Sequence, residues 1–157
     1  MAKHSFQIYL SYSQVCVFVN TLEQPFNDWS DRNFSQGFSW RPGSASFRTL
    51  AEDGEHKINL YINEPIPPLP INCIRAFKVP FESSDGNIEI ASISDSAQLK
   101  IPPGNYTLQT EFIKYESDSK PEINIRLNKG ESGFLILKAD SEIDATTELD
   151  LMAQPAT

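Results

Sequence analysis

A chain of 157 residues that is 39% hydrophobic and 22% charged is long enough to bury a core without disulfide or metal staples, and it reads as one soluble domain over residues 1–157. Thirteen Lys plus Arg against 21 Asp plus Glu give a net charge of −8, a field that repels a phosphate backbone and argues against direct nucleic-acid binding. No apolar run approaches the roughly 20 residues needed to span a bilayer.

The N-terminal "MAKHSFQIYLSYSQVCVFVN" is apolar after one Lys, but Gln7, Ser11, Ser13 and Gln14 interrupt it and no small-residue cleavage site follows. It reads as a β-hairpin and not as a signal peptide. Phe6, Ile8, Leu10 and Tyr12 fall on one face of the first strand, and Val15, Val17 and Val19 on one face of the second. Cys16 in that second strand and Cys73 further on lack metal-ligand spacing and read as buried free thiols.

In "PFNDWSDRNFSQGFSW", residues 25–40, the period-2 pattern gives way. Ser30 is a good N-cap, Asp31 suits the first turn, and Gly37 takes the left-handed conformation that ends a helix over 31–36. Trp29, Phe34, Phe38 and Trp40 are available to pin that helix to one end or open edge of the domain. One or two left exposed would serve as interface anchors, with Trp29 buried and Trp40 near the rim.

Further strands are expected at 44–50, 56–62, 75–81, 87–93, 97–101, 105–115, 122–127, 133–139 and 147–151, separated by turn signals such as the Asp-Gly pairs at 53 and 85. The four prolines in "NEPIPPLP", 63–70, predict an extended crossover between sheets, and a ligand for proline-reading modules is the alternative. Many short strands at close spacing predict an all-β, antiparallel β-sandwich of about 8–11 strands with one short helix. The segment 139–157 is acidic: Asp140, Glu142, Asp144, Glu148 and Asp150 occur with no Lys or Arg.

Signals for chemistry are sparse. There are two histidines, His4 in an expected frayed terminus and His56 beside Glu52, Asp53 and Glu55, without a metal-ligand pattern. The sequence holds no nucleophile elbow and no glycine-rich phosphate loop, so neither catalysis nor a cofactor is indicated.

Ser11 and Tyr12 before an apolar strand, the run Asp28, Trp29, Ser30 and Asp31, then Gly37-Phe38, then Ser46-Phe47, together resemble the competence protein J family. "FKVPF" and "LKIPPGNYTLQTE" are similar to later segments of that family, so the likeness spans roughly residues 8–112. The C-terminal part and the proline-rich insertion depart from it. That family includes the DNA-entry nuclease inhibitor of competent bacteria, so the resemblance implies a non-catalytic protein that binds and blocks a nuclease through an acidic surface. It would act in the cytoplasm, peripheral to a membrane complex through its partner. On this reading Asp28, Trp29, Asp31, Trp40 and Arg41 form the candidate partner surface around the helix, with Asp140, Glu142 and Asp144 as a second acidic region. Exposed edge strands leave room for a homodimer. The alternative is a ligand- or carbohydrate-binding module in which Trp40, Phe38 and nearby tyrosines stack on sugar rings.

Overall fold

The computed structural model describes residues 2–156, which form eleven strands and one short helix in two facing sheets. In chain order these are β1 (Ala2–Leu10), β2 (Gln14–Val19), α1 (Asp31–Gln36), β3 (Phe38–Arg41), β4 (Ser44–Arg48), β5 (Gly54–Ile62), β6 (Cys73–Ser83), β7 (Asn87–Ala91), β8 (Ser96–Lys100), β9 (Gly104–Ile113), β10 (Glu122–Lys129) and β11 (Leu135–Lys138). A six-stranded sheet runs β1-β5-β10-β9-β6-β11 and a five-stranded one β3-β4-β2-β7-β8. All pairings are antiparallel except β5 with β10. Among the described residues no helix is long and apolar enough to cross a membrane.

Alternation decides the inner face. Ile58, Leu60 and Ile62 of β5 and Ile123, Ile125 and Leu127 of β10 point into the core from one sheet, and Val15 and Val17 of β2 from the other. Phe77 of β6 sits where the sheets meet, its ring 5.9 Å from Phe38, 5.8 Å from Phe47 and 6.1 Å from Phe112. The remaining side chains of β2 face away from this core. Cys16 and Phe18 form a second small cluster with Ala91 under Leu22 and Phe26, so burial pushes the Cys16 thiol up to about 12.

Three sequence expectations are corrected. β1 and β2 do not form a hairpin: β1 pairs with β5 in one sheet, and β2 lies between β4 and β7 in the other. The proline-rich 63–70 stretch joins β5 to β6 within one sheet instead of crossing between sheets. Ile62 pairs at the level of Leu127 and Cys73 at the level of Ile113, opposite ends of the intervening strands, so this link must traverse the sheet. Residues 147–151 are not a strand, and β3 takes the edge position in the five-stranded sheet instead. The chain after residue 148 flanks β3 through Ala153 N–H to the Trp40 carbonyl (2.7 Å), and Asp28 N–H, in the segment before the helix, donates to the Gln154 carbonyl (2.7 Å).

The helix is where the sequence predicts it. Ser30 Oγ accepts from Asn33 N–H at 3.0 Å while Asn33 Oδ1 accepts from Ser30 N–H at 3.1 Å, a reciprocal cap. Gly37 ends it at φ 94°, packed so closely that an added Cβ would lie 2.5 Å from Phe77 Cζ and 2.7 Å from Ile143 Cδ1. Gly37→Ala therefore meets both a left-handed backbone and a filled core. We expect a loss of roughly 2 to 4 kcal/mol in urea unfolding, and a change under about 0.5 kcal/mol would contradict this packing.

Candidate functional site

At the helix end of the sandwich the chain leaves β1 through a tight turn, Ser11 to Gln14, with Tyr12 at φ 57° and Ser13 at φ 55°. Two consecutive non-glycine residues in the left-handed region cost on the order of 1 to 2 kcal/mol each. Surrounding bonds hold them there: Ser13 N–H donates to the Glu52 carbonyl (2.8 Å), Thr49 N–H to the Ser13 carbonyl (2.9 Å) and Ser11 N–H to Ser92 Oγ (3.1 Å). The outcome is display. Tyr12, placed by alternation on the inner face, is 74% exposed beyond the end of β1.

Tyr12, Trp29, Phe34 and Ile93 surround a shallow recess of about 320 Å³ floored by Gln14 and Arg48. Trp29 is half-buried, its Nε1–H donating to Gln14 Oε1 at 3.1 Å. Phe34 was expected to pin the helix, but it lies outside, 53% exposed and 3.8 Å from the Arg48 guanidinium. Inward anchoring falls to Phe38, which is fully buried and therefore unable to stack on a sugar. Asp28 and Asp31 are exposed at the start of the helix, and their carboxylates make no hydrogen bond or ion pair among the described residues.

The other predicted positions separate. Trp40 belongs to the opposite end, half-buried, donating from Nε1 to the Pro80 carbonyl at 2.8 Å. Arg41 is turned to its own loop: Nε donates to Asn27 Oδ1 at 2.7 Å and Nη2 to the Gln24 carbonyl, and burial lowers its pKa.

Asp140, Glu142 and Asp144 lie beside the helix and are bound to internal cations. Arg75, fully buried on β6, donates to both oxygens of Asp140 (3.0 and 2.8 Å) and to Glu142 Oε1 (3.2 Å). Its Nη1 donates to the carbonyls of Arg48 and Thr49. Asp144 pairs with Arg32 at 3.5 Å. Hydrogen bonds from the hydroxyls of Thr147 and Thr146, then the Thr146 amide, hold its carboxyl well below the usual carboxylate range. Arg48 links the two regions, donating to the carbonyls of Phe34 (3.0 Å) and Glu142 (3.1 Å). The exposed Glu142 side chain thus adjoins the aromatic recess.

His56 does not meet Glu52, Asp53 and Glu55 in a polar loop. It is buried on β5 with Nδ1–H on the Gly54 carbonyl at 2.8 Å, and Nε2 has no hydrogen-bond partner among the described residues. Among the described residues no group of three or more His, Cys, Asp or Glu side chains is placed to hold a metal.

With this geometry in view, the chain matches the family model Competence protein J over residues 7–130. Two solved structures share its fold. ComJ from Bacillus subtilis, described as an inhibitor of the DNA degrading activity of NucA, is 21% identical with a TM-score of 0.71, covering 81% of this chain and 96% of that one. A protein described as Crocagin biosynthetic gene J is 16% identical with a TM-score of 0.58, covering 83% of this chain and 100% of that one. No curated protein matches.

Two expectations follow from the buried charges. Asp140→Ala leaves the Arg75 guanidinium largely uncompensated and should cost roughly 2 to 4 kcal/mol in urea unfolding, whereas Asp28→Ala should stay within about 0.5 kcal/mol. Equal effects of the two would remove the distinction. Burial depresses the His56 pKa below its ordinary 6.5, so the unfolded chain binds the proton first. Stability is then full above pH about 6.5 and falls as the pH drops toward the folded value, with a slope approaching about 1.4 kcal/mol per pH unit. Melting curves of the unmodified protein and His56→Gln between pH 7.5 and 5 should diverge in slope; parallel curves would exclude His56 as the source.

Proposed function

The chain belongs to the competence protein J family, and from that premise we propose that it is a non-catalytic protein that binds a DNA-degrading nuclease and blocks its substrate cleft. The observation that carries this reading is the recess framed by Tyr12, Trp29, Phe34 and Ile93, together with the exposed carboxylates of Asp28 and Asp31 on either side of Trp29 in the chain. Exposed aromatic anchors gathered on a rigid scaffold are the chemistry of an interface hot spot, and a rim of carboxylates complements the basic cleft a nuclease uses for phosphates. Four of the family-like residues, Tyr12, Trp29, Asp28 and Asp31, lie at this end. Glu142 extends the rim through Arg48, while Asp140 and Asp144 act behind it by fixing the segment that supports the helix. In this reading the encounter takes place in the cytoplasm, or where a partner nuclease is held at a membrane complex.

The test is titration of the protein into a DNA-degradation assay with a nuclease of the kind ComJ inhibits, at two salt concentrations. Stoichiometric inhibition that weakens with salt is expected. Tyr12→Ala should weaken it by about 10-fold or more and Asp28→Lys/Asp31→Lys similarly, with melting changed little because all three side chains are exposed. Absence of inhibition by the unmodified protein would overturn the proposal.

A further inference from the structure

At the end of the sandwich away from the helix lies a larger cavity, about 560 Å³, bounded by the β3–β4 turn, the end of β6, the start of β9 and the chain following β10. Its apolar walls are Val19, Leu22, Phe81 and the rings of Trp40 and Tyr106. The indole is fixed: its Nε1–H donates to the Pro80 carbonyl, and the Phe134 ring meets it at 4.8 Å and 87°. Tyr106 backs the cavity from within the core, fully buried, its hydroxyl donating to the Pro102 carbonyl. A rigid indole wall of this kind binds a planar or cationic group without first losing side-chain entropy.

The polar lining has one sign. Glu82 and Glu131 are the charged residues among those that bound the cavity, and both are exposed at its mouth. Lys129 runs beside Gly104, outside the lining.

We propose that this cavity binds a guanidinium on an apolar stem, an arginine-like group. The stem lies against Leu22 and Val19, the planar cation stacks on the half-buried Trp40 indole, and its N–H donors meet the carboxylates of Glu82 and Glu131. A guanidinium suits the site because it is planar, weakly hydrated and rich in donors. A neutral sugar would leave two carboxylates at the mouth without counter-charge. The site is separate from the aromatic recess and does not depend on the nuclease reading.

Calorimetric titration of the 157-residue protein with N-acetyl-arginine amide and with a Gly-Arg-Gly amide tests this, alongside citrulline counterparts that keep the shape and remove the charge. Saturable binding of the arginine probes is expected, about tenfold or more tighter than citrulline. The Glu82→Gln/Glu131→Gln variant, altered only at exposed side chains, should bind about tenfold more weakly. Preference for the single capped arginine assigns the site to a small molecule, and preference for the tripeptide assigns it to a protein side chain. No saturable heat up to about 10 mM, equal binding of citrulline, or unchanged affinity in the double variant would overturn the proposal. Because no nuclease is present, this outcome is separate from that of the inhibition assay.

Discussion

The fully buried guanidinium of Arg75 organises this protein. Arg75 sits with no solvent exposure on a strand of the six-stranded sheet, yet its donors end on backbone carbonyls at the rim of the five-stranded sheet and on Asp140 and Glu142 of the C-terminal segment. Desolvating a guanidinium is tolerable only when nearly all its donors are met, so the three parts must be present in one arrangement for any to be stable. The helix depends on this arrangement. Its terminating glycine packs on Phe77, two residues along the same strand, and on Ile143, one residue beyond the second carboxylate.

From that frame follows a division of labour between the two ends of the sandwich. At one end a strained turn and a capped helix hold apolar side chains in water, which costs stability and is retained only where surroundings over-determine it. At the other, aromatic rings line a concave space with carboxylates at its mouth. Acidic residues also divide into two kinds. Asp28 and Asp31 are free, whereas Asp140 and Asp144 are counter-charges of Arg75 and Arg32. Net charge alone does not distinguish them.

How far the sequence disclosed this depends on how local each signal is. The helix over 31–36 was legible to the residue, because the Ser30 cap and the Gly37 stop are chemical requirements acting within one turn. Most strands were legible from alternation, since inward residues such as Ile58, Leu60 and Ile62 must share a face. β3 was not, because a four-residue edge strand carries too little alternation, and Leu149 and Leu151 suggested a strand where only an irregular flank exists. The departure of β1 and β2 into different sheets was hidden in the Tyr12–Ser13 turn, which lacks the glycine or asparagine that usually announces positive φ. Trp29, Asp28 and Asp31 were found as a local cluster. Tyr12 and Ile93 join them only through tertiary structure, and the tie between Asp140 and Arg75 spans 65 positions of sequence.

The parallel pairing of β5 with β10 bears on how the chain comes to fold. β5 must wait for β10, some sixty residues later, before the interior of its sheet exists, and β2 must wait for β7 before it is flanked on both sides. Neither sheet can therefore close from neighbouring segments. Such non-local pairing places the loop-closure penalty ahead of its reward, so folding is slow relative to a helical domain of equal length, and early collapsed forms carry unpaired strand edges. The Arg75 guanidinium would stand in such forms without its carboxylates, disfavouring burial of its strand until residues 140–142 arrive. The interaction that makes the finished structure specific thus also acts as a checkpoint against premature closure.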